Sequence, residues 1–405
     1  MTPATKIRPV TAKTLQKLLT CIGSASSGTK DVLSARFERD VCRPHFFNTR
    51  PDSKARLANN IDSRHRTLNI MSIDMGIKNL AYCRAYMSYP EGDAMKPKME
   101  VGTWERLNLI EASSPFRPPT PTTSFDEPSA AELEDLYSPK VLSEIAYRFL
   151  KDAALQSPPD VFLIESQRWR SGGQAAIQQW TIRVNTLEAM LWAILNALRA
   201  ESMIRAPRTE HEKKWRDYEV HGVSPKRVGQ YWLLQHAKVL AEKQKGDLSA
   251  FDEEVVETSE KKMPRAKAEK KAKIAIVRSW LTLESASTAP STPSSSPQIA
   301  LQFSEGAAVA RRGLVNTSTP RSTGRTKKVK MTIDSGHAKQ EVQEPKMRKL
   351  DDITDCFLQA AAWVAWETNR LKLYEVWDRR RGDDGSMPDL NDEILREMVE
   401  VAGEG

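Results

Sequence analysis

The sequence predicts an α/β fold in which a mixed β-sheet is flanked by helices. Residues 68–84 (LNIMSIDMGIKNLAYCR) place apolar residues on both sides of a glycine-containing turn, as two adjacent strands do. The continuous apolar run at residues 161–165 (VFLIE) is typical of a strand that is covered on both faces. Long helical periods follow residues 173 and 351, and strands combined with helices in this order form a sheet with helices packed against it.

The first predicted unit is a pair of short helices at residues 11–39. TAKTLQKLL and DVLSARF flank the loop GSASSGTK, and a small apolar seam is formed by Leu15, Leu18, Leu33 and Phe37. The spaced leucines, Gly23 and the run Ser-Gly-Thr-Lys before Leu33 and Arg36 resemble a SAP motif, a module associated with DNA binding. The resemblance implies phosphate contacts from Lys30 and Arg36. A generic helical hairpin is the alternative.

The extreme N-terminus permits two interpretations. Residues 1–30 contain no Asp or Glu, and their basic residues are Lys6, Arg8, Lys13, Lys17 and Lys30. Mitochondrial presequences share this composition, whereas a basic folded helix needs no cleavage. We therefore expect a SAP-like module at residues 1–45 that overlaps the candidate targeting segment, followed by a linker at residues 46–67.

The predicted core occupies residues 68–283 and is completed by a helix at residues 346–380. After residue 173 apolar residues recur at spacings of three or four, which includes Trp180, so we expect Trp180 to pack against the sheet. A second amphipathic segment covers residues 225–240 and a last one covers residues 351–373.

Low-complexity stretches interrupt this core. Residues 113–129 predict a loop, and residues 284–345 predict a disordered insertion, because both are too polar or proline-rich to bury a core. Residues 246–273 end in KKMPRAKAEKKAK, with seven basic residues against one Glu, and predict a basic solvated tether. Residues 381–405 are expected to form a C-terminal tail.

Composition narrows the class of protein. The formal net charge of +8 and the pI of about 9.2 favour polyanionic partners. The four cysteines show no CxxC pair, so neither a disulfide framework nor a zinc site is predicted. The longest apolar stretches, at residues 187–198 and 357–366, are too short to span a bilayer, and no membrane association is expected.

Two carboxylates are placed on predicted strands in a way that suits phosphodiester hydrolysis. Such hydrolysis needs an activated water and a stabilised leaving oxygen, which two hard cations about 4 Å apart supply through carboxylate ligands. Asp74 lies within an apolar strand, where an uncompensated charge is costly, and Gly76 permits a tight turn beside it. Glu165 ends a buried strand, at the edge where open α/β sheets bind ligands. A salt bridge to a nearby Lys or Arg is the alternative for each.

A third group of carboxylates begins the last long helix. Spacings of three and four residues place Asp355 on one helix face with Asp352 and with Asp351, although helix capping is an alternative for acids at this position. The spacing does not decide between Asp351 and Asp352. The predicted catalytic acids are therefore Asp74, Glu165, Asp351, Asp352 and Asp355, with Asp74, Glu165, Asp352 and Asp355 as metal ligands.

A basic surface is predicted beside Glu165. From Ser166 to Leu187 there is no acid, while arginines alternate with Trp169 and Trp180, which is the composition of a surface that faces a phosphate backbone. The residues predicted to contact DNA are Lys30, Arg36, Lys78, Gln167, Arg168, Arg170, Lys226 and Arg227.

Several stretches together resemble the fungal mitochondrial Holliday-junction resolvases, which are relatives of bacterial RuvC in the RNase H-like superfamily. The matching stretches are SIDMGIKNLA, IESQRWRSGG with QWTIRVNTLEAMLWA, VSPKRVGQYW, KKAKIAIVRSWL and MRKLDDITDCFLQAAAW. The resemblance implies an RNase H-like core and carries the family's catalytic acids onto Asp74, Glu165, Asp355 and one or both of Asp351 and Asp352.

The resemblance also implies the activity. The expected protein is a Mg²⁺-dependent endodeoxyribonuclease that binds a four-way junction as a homodimer, with two Mg²⁺ ions, or Mn²⁺ as an alternative, in each active site. Its expected location is the mitochondrial matrix, with the nucleus as an alternative. Two other functions stay open: a catalytically inactive nucleoid DNA-binding protein, and an RNase H-like nuclease for another branched or hybrid substrate.

Overall fold

The computed structural model describes residues 10–42, 67–89, 96–112, 136–167, 178–204, 218–247, 265–285, 299–316, 350–382 and 386–403. Six strands are present there: β1 (Leu68–Asp74), β2 (Leu80–Ser88), β3 (Lys98–Leu107), β4 (Val161–Glu165), β5 (Glu219–Val223) and β6 (Ala300–Phe303). They form one mixed sheet in the order β5-β4-β1-β2-β3-β6. The described part of the chain is therefore organised around a single sheet, as predicted.

The helices of the described residues are α1 (Ala12–Cys21), α2 (Lys30–Val41), α3 (Leu109–Ala112), α4 (Pro139–Phe149), α5 (Gln179–Ile204), α6 (Pro225–Asp247), α7 (Arg265–Ser285), α8 (Ala308–Asn316), α9 (Leu350–Asp378) and α10 (Asp392–Gly403). A π-helical turn at Leu150–Ala154 continues α4, and a 3₁₀ turn at Glu305–Ala307 precedes α8. None of the helices in this part of the chain combines the length and hydropathy of a membrane span.

The side chains of β1 and β4 alternate between two cores. Leu68 and Ile70 share one core with Val161 and Leu163, on the face covered by α6, α7 and α9. The intervening Met71, Ile73, Phe162 and Ile164 face the opposite core, which α4 and α5 complete. Since strand side chains alternate with a period of two, even-numbered residues of β1 and odd-numbered residues of β4 face α9.

Helix α9 is tied to the sheet by hydrogen bonds near its N-terminal end. The Gln359 Nε2 donates to the carbonyl oxygens of Ile73 (3.3 Å) and Leu163 (3.1 Å), one on each of two adjacent strands. Ser72 Oγ donates to the Cys356 carbonyl at 2.8 Å, and Trp104 Nε1 donates to the Ile353 carbonyl at 2.9 Å. These bonds place the first turns of α9 beside the carboxyl ends of β1 and β4.

The N-terminal hairpin of α1 and α2 packs on the same domain. Leu18, Leu33 and Phe37 are buried in one core with Trp377 of α9 and Met398 of α10. The α1–α2 seam predicted from the leucine spacing is therefore present, and it is shared with both C-terminal helices. α10 lies within the stretch that was expected only as a tail.

The last residues of α1 receive donors from other helices. Asn369 Nδ2 donates to the Cys21 carbonyl (3.0 Å), Arg370 Nη2 to the Ile22 carbonyl (2.7 Å) and Arg227 Nη1 to the Gly23 carbonyl (3.0 Å). Gly23 adopts φ +70°, and a Cβ there would stand 2.3 Å from the Trp366 ring. Only glycine allows this close approach of the hairpin to α9.

Two expectations for the low-complexity stretches are corrected. Residues 299–316, within the insertion predicted to be disordered, form β6 and α8, and they bury Ile299, Ala307 and Leu314. Residues 265–273, within the predicted tether, form the first turns of α7. β6 and α8 are short, and the first turns of α7 are strongly basic. Each therefore has too few apolar residues to produce a clear strand or helix period in the sequence.

Other expectations are confirmed in the described residues. Residues 68–84 contain the antiparallel pair β1 and β2, residues 161–165 form β4, and the segment predicted to start at Pro225 is helical. No disulfide links the four cysteines, all of which lie in the described part of the chain.

The expectation for Trp180 was wrong. Trp180 was expected to pack against the sheet, but its side chain is 41% exposed.

Candidate active site

Asp74 and Glu165 meet because their strands are parallel neighbours. β1 and β4 pair in a register that aligns Ile73 with Ile164, one residue before each acid. By the alternation of the strands, both acids then lie on the α9 side of the sheet and at its carboxyl edge. Burial raises the pKa of Asp74 well above its ordinary value, and the adjacent Glu165 carboxyl raises it further. The two strands alone thus bring together two of the predicted acids.

Glu165 is held by groups of the surrounding loops. Its Oε2 accepts hydrogen bonds from the Met75 backbone N–H at 3.2 Å and from Gln167 Nε2 at 2.9 Å. The backbone N–H of Gln167 in turn donates to Glu188 Oε2 of α5 at 3.0 Å. Burial raises the pKa of Glu188, and the charge of Glu165 raises it slightly further. The hydrogen bond from the Gln167 backbone lowers the pKa and so opposes this shift. Glu188 therefore positions Gln167, which positions Glu165.

Helix α9 brings two further acids to the same place. Asp352 lines a cavity of about 360 Å³ together with Gly76, Glu165, Gln167 and Trp180. Both Asp352 and Asp355 act on Asp74 electrostatically and raise its pKa. Asp74, Glu165, Asp352 and Asp355 are called the acidic cluster below.

Asp351 faces a different neighbour. Its Oδ2 accepts a hydrogen bond from Lys270 Nζ of α7 at 2.6 Å, in a pair whose lysine is 59% exposed. Among the acids of α9, Asp352 and Asp355 act on the pKa of Asp74, and Asp351 is not among the groups that do so. Of the two adjacent acids that the spacing could not separate, the geometry favours Asp352 as the member of the cluster.

The electrostatics of the cluster call for a cation. Burial raises the pKa of Asp74 well above its ordinary value, and the hydrogen bond and charge of Glu165 raise it further. Burial also raises the pKa of Asp355, while the ammonium of Lys273 opposes this shift. Acids that share one partly enclosed site cannot all ionise without a compensating positive charge.

The donor set fits a hard divalent cation. All four side chains of the cluster offer carboxylate oxygens, the ligands that Mg²⁺ and Mn²⁺ prefer. Among the residues that the structure describes, no three Asp, Glu, His or Cys side chains already stand as a complete ligand set. The cluster has the donor chemistry for a divalent cation, and its side chains must move closer together to hold one.

Aromatic and cationic groups surround the mouth of the cavity. The rings of Trp180 and Tyr137 meet edge to face with centroids 5.4 Å apart. The Arg183 guanidinium lies 4.5 Å from the Tyr137 ring centroid, and Lys78 Nζ lies 5.9 Å from it. An exposed tryptophan beside a tyrosine that contacts two cations is suited to a nucleic-acid strand, whose bases stack and whose phosphates are negative.

The predicted DNA-contacting residues fall into four groups. Lys30 and Lys226 are exposed at the starts of α2 and α6, and Lys78 and Gln167 lie at the cavity. Arg36 donates to the carbonyls of Ala25 (2.6 Å) and Ser27 (2.8 Å), and Arg227 donates to Gly23, so both arginines hold the hairpin loop. Arg168 and Arg170 lie outside the described residues.

Four residues at the site had no role in the sequence-based prediction. Lys270 and Lys273 contact acids that are 81 and 82 positions away along the chain, and nothing in a basic run indicates which acid each lysine meets. Glu188 and Tyr137 join the site only because α5 and the start of α4 pack beside β4. The sequence drew attention to the region of the two lysines only as a basic tether and as the family stretch KKAKIAIVRSWL.

Comparison with known proteins finds one matching family and two relatives that share one name. The model of the family described as mitochondrial resolvase Ydc2 / RNA splicing MRS1 matches residues 70–373. A protein of Schizosaccharomyces pombe named "Cruciform cutting endonuclease 1, mitochondrial" is 28% identical over 166 residues, 41% of this chain and 53% of that protein. The protein of the same name from Saccharomyces cerevisiae is 25% identical over 316 residues, 77% of this chain and 72% of that protein.

Coverage differs between these relatives. The chain thus spans about half the length of the S. pombe protein and more of the S. cerevisiae protein. A solved structure, the "Yeast Mitochondrial Holliday Junction Resolvase, Ydc2", has a TM-score of 0.46 and 22% identity, and the match covers 90% of this chain and 96% of that one.

Proposed function

Because the chain belongs to the mitochondrial resolvase Ydc2 / RNA splicing MRS1 family, we propose that it is an endonuclease that cuts four-way DNA junctions in mitochondria. The observation that carries the proposal is the acidic cluster, in which Glu165 of β4 and Asp352 and Asp355 of α9 surround Asp74 of β1 and raise its pKa after burial. Glu165 and Asp352 of this cluster line one cavity. The names of two relatives, both mitochondrial cruciform cutting endonucleases, agree with this substrate and location.

The proposed reaction is hydrolysis of a phosphodiester by water. Divalent cations, when bound, lower the pKa of a water molecule and stabilise the oxygen that leaves the phosphorus. Asp74 is the proposed shared ligand, since it interacts with Glu165, Asp352 and Asp355 alike. Glu165 and Asp355 would each hold one of the cations together with Asp74. Asp352 would supply a further carboxylate ligand or orient the water. Gln167 and the Met75 N–H keep Glu165 oriented throughout.

The surroundings of the cluster account for strand binding. Lys78, Arg183 and the exposed Trp180 ring lie at the mouth of the cavity, where a phosphate and a base of the cut strand would pass. Lys30 and Lys226 are exposed and would contact the backbone further away. We also propose that the active form is a homodimer, because a two-fold enzyme matches two symmetric cuts in a four-way junction.

The family description also names RNA splicing. The acidic cluster distinguishes a nuclease from a protein that only binds RNA. A protein that only binds RNA gains nothing from four carboxylates that face a polyanion, because they repel its phosphates. A metal-dependent nuclease requires them. The acids therefore favour hydrolysis over binding alone.

The proposal is tested with purified full-length protein on a mobile four-way junction, a linear duplex, an RNA:DNA hybrid and a structured RNA. Each substrate is incubated with Mg²⁺, with Mn²⁺ and with EDTA. We expect paired cuts in opposed strands of the junction, only when a divalent cation is present. Binding of the junction without cutting, or faster cutting of the linear duplex or the hybrid, contradicts the proposal; selective binding of the RNA without hydrolysis supports the splicing activity.

A further inference from the structure

Two lysines of α7 are paired with two acids of α9. Lys270 Nζ lies 2.6 Å from Asp351 Oδ2, and Lys273 Nζ lies 2.9 Å from Asp355 Oδ1. The lysines are three residues apart and the acids four apart, so each pair lies on the contacting faces of the two helices. Only the second pair involves a member of the acidic cluster.

The two pairs differ in environment. The Lys270 side chain is 59% exposed, whereas that of Lys273 is 13% exposed. The two acids are similarly exposed, Asp351 by 26% and Asp355 by 30%, so the difference lies in the lysines. An exposed ammonium is screened by water and gains little from an ion pair, while an ammonium that is mostly buried depends on its partner. Lys273 is therefore committed to Asp355, and Lys270 is not comparably committed to Asp351.

A glycine of α6 leaves room for Lys273. A Cβ at Gly229 would stand 3.4 Å from Lys273 Cε and 3.9 Å from its Nζ, so a side chain longer than a methyl group would occupy the lysine's place. Glycine within a helix is unfavourable by about 1 kcal/mol relative to alanine. The groove between α6 and α7 at Gly229 accommodates the lysine stem beside the cluster.

We propose that Lys273 is a built-in cation that occupies Asp355, and that a divalent cation must displace it to load the site. This inference rests on the proposed metal-dependent function of the acidic cluster. The Lys273 ammonium and a metal ion would bind the same carboxylate, so they compete for it. In the absence of metal, Lys273 offsets part of the negative charge of the cluster; after displacement, Asp355 is available to the metal together with Asp74.

The test measures metal binding directly, without DNA. Mn²⁺ and Mg²⁺ are titrated calorimetrically into full-length wild type, Lys273→Gln, Lys270→Gln and Asp74→Asn, and thermal unfolding of each is recorded with and without metal. We expect Lys273→Gln to bind the metal about tenfold more tightly, which corresponds to about 1.4 kcal/mol. We also expect its melting temperature without metal to be lower and its rise on metal addition to be larger than in wild type.

Lys270→Gln is the matched control, and its affinity should change less than about twofold because that pair is solvent-screened. If Lys273→Gln does not fold, Lys273→Met, which keeps a side chain of similar length, is measured in the same way. Unchanged or weaker metal binding by the folded Lys273 variant overturns the competition. If wild type binds no metal in a manner that depends on Asp74, the proposed function itself fails, so the two failures are distinguishable.

Discussion

At the scale of single residues, the surroundings of the Asp74 carboxyl show best why the site needs a positive charge. A carboxyl in the apolar run IMSID is costly unless it is compensated, and the structure surrounds it with Glu165, Asp352 and Asp355 rather than with an Arg or Lys partner among the contacts that shift its pKa. The salt bridge that was the alternative for Asp74 is therefore not what the described residues provide. A residue with three acidic neighbours is one that a metal ion or a proton must neutralise.

This neutralisation makes the metal-free protein sensitive to pH. The pKa of Asp74 is raised in the folded state by burial and by Glu165, so folding favours the protonated carboxyl. The resulting stability is present below the ordinary aspartate pKa of about 4 and is lost as pH rises through the raised pKa of the folded protein. Asp355, whose pKa burial also raises, acts in the same direction.

We predict that the free energy of unfolding in EDTA, measured with urea, falls as pH increases from acidic to neutral values. Asp74→Asn should flatten this dependence, since its amide does not titrate, and Mg²⁺ should restore stability to wild type at neutral pH. Asp351→Asn serves as the control, because its acid lies outside the cluster. An unchanged pH slope in Asp74→Asn argues against a protonated Asp74.

At the scale of elements, α9 is the helix that assembles the site. Gln359 donates to the carbonyl oxygen of Ile73, directly before Asp74, and to that of Leu163, two residues before Glu165. The acids of α9 lie one and two turns earlier in the helix. The position of Asp352 and Asp355 relative to the strands thus depends on a buried amide. A shift of α9 along the sheet would separate the cluster.

We predict that Gln359→Leu destabilises the protein by about 1–3 kcal/mol, because it leaves two buried carbonyls without this donor, and that it weakens metal binding. The control is Thr368→Val on the same helix, which removes the Thr368 hydrogen bonds to Val364 and Tyr89 far along α9. That variant should lose similar stability but keep the metal affinity. Equal metal affinity in both variants would show that Gln359 does not position the acids.

Elements also show why the sequence predicted some of the site and not the rest. Asp74 and Glu165 were predictable because the apolar run before each acid is local, and neighbouring parallel strands bring their acids together. The sequence placed Asp74 within its strand, whereas β1 ends at Asp74. The choice between Asp351 and Asp352 was not predictable, since it depends on the rotation of α9 against α7, which tertiary packing decides. Lys273 was not predictable for the same reason, as its partner is 82 residues away.

At the scale of the whole molecule, the N-terminal hairpin packs into the same domain as the sheet and the acidic cluster. Its leucines and Phe37 share a core with α9 and α10, and its loop carbonyls are held by Arg227, Asn369 and Arg370. α9 therefore carries acids of the cluster at one end and contacts the hairpin at the other.

We predict that Phe37→Ala lowers the stability of the entire domain by about 3–5 kcal/mol, the usual effect of removing a buried phenylalanine. Calorimetry should show one transition at a lower temperature. Val32→Ala on the same helix is the control, because Val32 is 47% exposed and should change little. A separate low-temperature transition, with the main transition unaffected, would mean that the hairpin folds independently.

The central claim is that Asp74, Glu165, Asp352 and Asp355 form one metal-dependent catalytic site and that Asp351 does not belong to it. The most direct test measures Mg²⁺-dependent cleavage and binding of a four-way junction by Asp74→Asn, Glu165→Gln, Asp352→Asn, Asp355→Asn and Asp351→Asn. We expect the first four variants to bind the junction but to cut it at least a thousandfold more slowly, roughly 4 kcal/mol in activation free energy, while Asp351→Asn stays within about threefold of wild type, since its ion pair with Lys270 is solvent-screened. Full activity in Asp352→Asn together with loss of activity in Asp351→Asn would contradict the account.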